Sequence, residues 1–133
     1  MELKHIYLLH HSHYDRGFTH SQRVVDQLQV DFIDQALDLL DATADWDAPS
    51  QPRWTIEVHQ QLKLWLACAT PAKVARLKHY VAQQRLGLGA IQFNSTPLSS
   101  IESLCQQLAD VRRYREELGF TVKVAFHHDV TGL

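Results

Sequence analysis

The stretch that decides the fold is Leu3-Lys4-His5-Ile6-Tyr7-Leu8-Leu9, which runs directly into His10-His11-Ser12-His13-Tyr14-Asp15-Arg16-Gly17-Phe18. The first part is mostly apolar and lacks the strict alternation of a half-exposed strand. Such a run fits a strand covered on both faces, as in a parallel sheet. The polar segment from His10 to His20 then reads as the loop that leaves the strand. Beyond it a long helix is expected, because Val25, Leu28, Phe32, Ala36, Leu37 and Leu40 recur at three- and four-residue steps and make one apolar face. Thr19 and Gln22 have the spacing of a capping box at its start.

The same grammar repeats along the chain. Asp45 to Pro52, with two prolines, is a loop; Trp54 to Val58 reads as a second strand and Gln60 to Ala67 as a short helix. Thr70-Pro71 opens the next helix, with proline at the first helical position, where its missing N–H is no loss. Val74, Leu77 and Val81 form its inner stripe. Leu86 to Phe93 is a third strand, weakened by Gly87 and Gly89. Ser99 and Glu102 have capping-box spacing ahead of a fourth helical region, whose stripe is Ile101, Leu104, Cys105, Leu108, Val111 and Leu118, and Gly119 is a natural stop. Thr121 to Phe126 is a fourth strand. Strands alternating with helices predict an α/β fold with a parallel sheet, as a single domain over residues 1–133.

Composition narrows the function. The chain has 133 residues, 45% of them hydrophobic, and a formal net charge of −2. These values exclude a disordered acidic chain, a collagen-like repeat and a basic coat for nucleic acid, so no nucleic-acid partner is expected. No apolar run approaches the roughly 20 residues that span a bilayer, and no membrane partner is expected. Met1 to His5 lacks the charged head and apolar stretch of a signal peptide. Cys68 and Cys105 fall on helical segments and are expected to be buried thiols, with a reducing cytoplasm as the default compartment. Arg112, Arg113 and Arg115, beside Glu116 and Glu117, read as a solvated face of mixed charge. Trp54 and Trp65 read as packing residues.

Nine histidines stand out, five of them in two groups: His10, His11 and His13, and His127 and His128. Both groups lie at the carboxyl ends of expected strands, where parallel α/β folds bind ligands. On an extended segment, residues two apart point to one face, so His13 and Asp15 can grip one ion together. With Asp129 from the distant strand end, the donor mixture suits Zn²⁺ or another divalent first-row metal. The plainer alternatives are that His10 and His11 bond to backbone, that Asp15 caps a turn before Gly17, and that Asp129 is a turn or cap residue. Glu57 either lines the pocket or ends its strand in solvent. Tyr14 and Arg16 alternate with the proposed ligands and are placed to meet a substrate.

Leu9-His10-His11-Ser12-His13-Tyr14-Asp15-Arg16-Gly17-Phe18 resembles the opening metal motif of glycoside hydrolase family 38, the α-mannosidase family: His-Ser-His-x-Asp-x-Gly and then an aromatic residue. Trp54-Thr55-Ile56-Glu57 is similar to the family's second-strand segment ending in glutamate. Ala125-Phe126-His127-His128-Asp129-Val130-Thr131-Gly132 resembles its nucleophile segment, and the nearest likeness is to a bacterial subgroup. The resemblance implies the N-terminal four-strand portion of a seven-stranded α/β barrel, within a larger catalytic domain. It implies His13 and Asp15 as zinc ligands, Asp129 as both ligand and nucleophile, and Phe18, where the family usually has tryptophan, as an apolar platform under the sugar. Tyr14, His11, Glu57 and His128 are expected around the same carbohydrate substrate. The implied reaction is retaining hydrolysis through a glycosyl-enzyme intermediate. The family's remaining zinc ligand, a histidine, and its general acid fall beyond the equivalent of Leu133. Two segments depart from the family pattern: Asp129-Val130-Thr131-Gly132 replaces Asp-Pro-Phe-Gly, and Asn94-Ser95-Thr96-Pro97 stands where many members carry an acidic residue. Two other readings stay open. One is a metal-dependent polysaccharide deacetylase, in which the metal activates water. The other is a non-catalytic metal-binding fragment that self-associates through an open sheet edge.

Overall fold

The computed structural model describes residues 3–96 and 98–130. Eight elements follow one another: β1 (His10–His11), α1 (Gln22–Ala42), β2 (Trp54–Ile56), α2 (His59–Leu66), α3 (Pro71–Ala82), β3 (Leu86–Leu88), α4 (Ile101–Gln107) and α5 (Ala109–Leu118). The strands form a parallel sheet in the order β1-β2-β3, with His10 opposite Trp54 and Trp54 opposite Leu86. The α/β class and the parallel pairing agree with the alternation in the sequence. Single bonds carry the pairing past the strand ends: Gly89 N–H donates to Ile56 O at 2.8 Å and His59 N–H to Ile91 O at 3.0 Å. These contacts gather the loops that follow the strands at the carboxyl end of the sheet.

The main core lies between the sheet and the helices. Ile33, Leu37 and Leu40 of α1, Leu62 and Trp65 of α2, and Leu77, Tyr80 and Val81 of α3 close on Ile56, Leu86 and Leu88, with Tyr114, Leu118 and Phe120 completing the packing. Trp65 is fully buried and Trp54 packs against this cluster, as packing residues do. Leu37 has no exposed surface; truncating such a side chain to alanine typically costs about 2–5 kcal/mol. A smaller cluster of Tyr14, Val25 and Val58, with Ile91 and Phe93 against it, lies under the histidine loops.

Several elements depart from the sequence pattern. Residues 3–9 carry no strand; pairing starts only at His10, and Leu3, Ile6, Tyr7, Leu8 and Leu9 are exposed. A ladder needs a partner, and Pro52, two residues before β2, has no N–H to extend it backwards. On α1 the buried face is Val25, Gln29, Ile33, Ala36, Leu37 and Leu40, so Gln29 and Ile33 displace Leu28 and Phe32. Its N-cap is Ser21, whose carbonyl accepts from Val24 and Val25, and Thr19 does not cap it. Ser100, not Ser99, caps α4, its hydroxyl accepting from Ser103 N–H at 3.1 Å.

The fourth helical region breaks at Leu108. Gln107 turns inward, and its carbonyl takes a 2.6 Å bond from His59 Nε2 instead of serving the helix alone. The break rotates the first half of the expected stripe out of the core: Ile101 is 81% exposed, and Leu108 and Cys105 are exposed too. Cys68 is likewise exposed, so neither thiol is the buried group expected. Residues 121–126 run beside the exit of β3, with Ala90 N–H donating to Val124 O at 2.9 Å, but form no fourth strand. Among the described residues, no helix is long and apolar enough to cross a membrane.

Candidate metal centre

The histidine loop is held from beneath by two buried glutamines. Gln29 of α1 donates through Nε2 to the His13 carbonyl at 3.0 Å and accepts from the Ser12 hydroxyl at 3.1 Å. Gln61 of α2 donates to the Ser12 carbonyl at 3.1 Å and also bonds Gln29, while its side-chain Oε1 accepts from Val58 N–H at 3.2 Å. A buried amide is tolerated only when such bonds are made, and here they fix the backbone of residues 12–13. Neither glutamine stood out in the sequence. The signal for Gln29 was available: it is a polar residue on the apolar face, four residues from both Val25 and Ile33.

This support brings together the predicted ligands. His13 Nε2 lies 3.0 Å from Asp15 Oδ1 and 4.0 Å from Asp129 Oδ2. One ligand atom from each of the three residues falls within 4.8 Å of the others. His13 Nε2 is buried and makes no hydrogen bond among the described residues, because the close Asp15 oxygen is not aligned for one. An unpartnered imidazole nitrogen facing two carboxylate oxygens is a donor set that zinc accepts. Asp129 has a left-handed backbone (φ 52), a conformation that aspartate tolerates better than most side chains; its carboxylate projects into solvent at the mouth of the site.

His11, Glu57 and His128 make a second group whose ligand atoms also lie within 4.8 Å of each other. Glu57 is 0% exposed, which removes the reading of a solvated strand end. His13 Nδ1 meets its Oε1 at 2.9 Å and Oε2 at 3.2 Å, Tyr14 N–H donates to Oε2 at 3.1 Å, and Asn94 Nδ2 and His128 Nδ1 reach Oε1 at 3.0 and 3.1 Å. Burial alone would raise the Glu57 carboxyl, but the bonds from Asn94 and His13 and the neighbouring His13 and His128 hold it below the usual carboxylate range. For His13 burial acts downward, and the bond to Glu57 with the charges of Glu57, Asp15 and Asp129 outweighs it, leaving the imidazole above its ordinary value. Asn94, absent from the expected set, also accepts His128 N–H on Oδ1 at 3.1 Å.

The other predicted residues fall into two groups. Phe18 is 89% exposed and, with Asp15, Phe93, Asn94, His128 and Asp129, lines an open cleft of about 350 Å³. Tyr14 touches the same cleft but is buried, and its hydroxyl donates to Asp26 Oδ1 at 2.7 Å. Burial and that bond push the Tyr14 phenol well above its ordinary range. Arg16 pairs with Asp26 at 3.1 Å on the rim. His11 sits behind, stacked on Phe126 at 6.2 Å, and His127 Nε2 accepts from Ser95 N–H at 3.2 Å. A larger hollow of about 750 Å³ between α1 and α2 is lined by none of the site's histidines or carboxylates. Pro97 and Thr131-Gly132, parts of the quoted motifs, lie outside the described residues.

The class so defined is an α/β protein whose histidine–carboxylate cluster stands where the parallel strands end. Residues 4–133 match the family described as the glycosyl hydrolases family 38 N-terminal domain, and the chain belongs to that family. A solved structure of a protein in glycosyl hydrolase family 38 from Enterococcus faecalis superposes with a TM-score of 0.72 at 20% identity, covering 95% of this chain. The chain spans 14% of the length of that protein. No curated protein matches the chain.

Proposed function

We propose that this chain carries the metal-binding and nucleophilic part of a zinc-dependent, retaining α-mannosidase-like glycoside hydrolase. The observation that supports it is the convergence of His13, Asp15 and Asp129 around one unpartnered imidazole nitrogen. Family membership makes a carbohydrate substrate the natural occupant of the cleft. In this reading the parallel order β1-β2-β3 is the opening portion of a seven-stranded α/β barrel.

His13, Asp15 and Asp129 would hold the ion, which supplies Lewis-acid charge for gripping sugar hydroxyls. Asp129, at the mouth of the cleft, attacks the anomeric carbon. The bond to the departing oxygen breaks as a second carboxyl group gives that oxygen its proton, and water later releases the sugar with its configuration kept. The two carboxyl groups of such a pair stand about 5–5.5 Å apart. Asp15 belongs to the ligand set and Glu57 is enclosed, so neither serves as the acid. Phe18, exposed at the rim, offers its ring to the apolar face of a sugar.

Calorimetric titration of Zn²⁺ into the wild type and His13→Ala tests the ligand set. The wild type is expected to bind one ion and the variant to lose at least tenfold in affinity; equal affinities would sink the assignment.

A further inference from the structure

We propose that Glu57 is the positioning residue of the metal centre: its buried carboxylate accepts a hydrogen bond from His13 Nδ1–H and so turns Nε2 toward Asp15 and Asp129. The proposal rests on the reading of those three residues as zinc ligands. Its first support is that Glu57 is wholly enclosed, which removes it from direct contact with a sugar. A carboxylate out of water is costly unless it is fully hydrogen-bonded. Four donors from three segments supply the bonds: His13, the Tyr14 N–H, Asn94 and His128.

The second support is the tautomer. A neutral imidazole carries one proton, and it stays on the nitrogen whose carboxylate neighbour is aligned to accept it; Glu57 is so aligned with Nδ1, whereas Asp15, 3.0 Å from Nε2, is not. His13 Nδ1 lies 2.9 Å from Glu57 Oε1, so the proton stays there and Nε2 is left as a lone pair. That nitrogen is the buried atom without a hydrogen bond, beside the Asp15 and Asp129 oxygens. A carboxylate behind a ligating histidine both orients the ring and strengthens it as a donor.

The third support is reach. Asn94 donates to Glu57 and accepts from His128 N–H, one residue before Asp129. The same carboxylate therefore anchors both segments that bring ligands to the ion, although they are more than a hundred residues apart in sequence. His11, Glu57 and His128 could be read instead as a second cation site. Occupying it would strip the Asn94, Tyr14 and His128 donors from the carboxylate, and the observed bonds favour the positioning role.

Long-range proton–nitrogen NMR of the metal-free wild type, in alkaline solution where the ring is neutral, reads the tautomer without any variant. His13 is expected as the Nδ1–H form; an Nε2–H form would overturn the proposal. Zn²⁺ calorimetry on Glu57→Gln, with circular dichroism to confirm folding, is expected to show about 10- to 100-fold weaker binding than the wild type. Its His13 resonances should also report a mixed tautomer. A folded Glu57→Gln with unchanged affinity and unchanged tautomer would overturn the positioning role, and so would two Zn²⁺ bound per wild-type chain. A wild type that binds no Zn²⁺ while His13 keeps its Nδ1 proton would sink the ligand reading and leave the Glu57–His13 pairing standing.

Discussion

Gly89 sits where no side chain fits. A Cβ there would stand 2.0 Å from the carbonyl oxygen of Glu57 and 3.1 Å from the Phe126 ring. The first neighbour is backbone and cannot step aside, so Gly89→Ala must push β3's exit away from the segment that carries Glu57. A loss of about 1–3 kcal/mol is expected from overpacking of this kind, together with weaker metal binding. Gly87 is the contrast: the nearest atom to its Cβ would be Thr55 Oγ1 at 3.5 Å, an ordinary contact. Gly87→Ala is expected to be neutral, or to stabilise by up to about 1 kcal/mol through lost backbone freedom in the unfolded chain. Urea melts of both variants decide the point, and equal midpoints would refute the steric reading. Legibility differs sharply at this scale. The spacing of His13 and Asp15 announces a shared face, and the two side chains do meet, because alternation along an extended backbone is local. The burial of Glu57 and the roles of Gln29, Gln61 and Asn94 depend on contacts across the fold, and a polar letter in the sequence does not say whether it meets water or a partner.

Among the elements, α2 and the break between α4 and α5 are joined by one imidazole. His59 is buried at the start of α2, its Nε2 bonded to the Gln107 carbonyl and its ring edge-on to Tyr114 at 5.6 Å. Burial lowers its affinity for a proton and outweighs the Gln107 bond and the Asp110 charge, which act the other way. The folded-state value thus lies below the ordinary 6.5. Above 6.5 both states hold the ring neutral and it contributes no pH dependence. As pH falls below that value the unfolded chain takes a proton that the folded chain refuses, so stability drops toward acid. His59→Gln can keep a donor for the Gln107 carbonyl but does not titrate. Denaturant melts from neutral pH into the acid range should give the wild type a steeper loss than the variant; parallel losses would refute the assignment. Helix positions were largely readable from three- and four-residue periodicity and from Thr70-Pro71, since those signals are local. The break at Leu108 was not, because the Gln107 carbonyl beside it bonds to His59, 48 residues from Gln107. The strand expected over Leu3–Leu9 failed for a related reason: apolar content says that a segment can be covered, but pairing requires a partner with free backbone groups.

For the molecule as a whole, the proposed ligand set would couple the two ends of the described chain. His13 and Asp15 follow β1, while Asp129 arrives after the last helix on a segment tied to the rest by Ala90 N–H to Val124 O, Ser95 N–H to His127 Nε2, His128 N–H to Asn94 and His128 Nδ1 to Glu57. An ion that bridges this segment to the first loop adds a further tie and should stabilise the folded state. An ion that binds only the folded form adds RT ln(1 + [L]/Kd), which is about 2.7 kcal/mol when free Zn²⁺ stands at 100 times its Kd. The wild type should therefore melt several degrees higher with Zn²⁺, and a chelator should return it to the metal-free value. Asp129→Asn keeps the shape of the side chain but removes its negative charge, and should lose most of the shift. The gain should also fade in acid, because protons compete with the metal for the ligand atoms. Scanning calorimetry of both proteins, with and without Zn²⁺, measures each arm. If Asp129→Asn gains as much from Zn²⁺ as the wild type does, the ion is not bridging the two segments, and Asp129 must be removed from the ligand set.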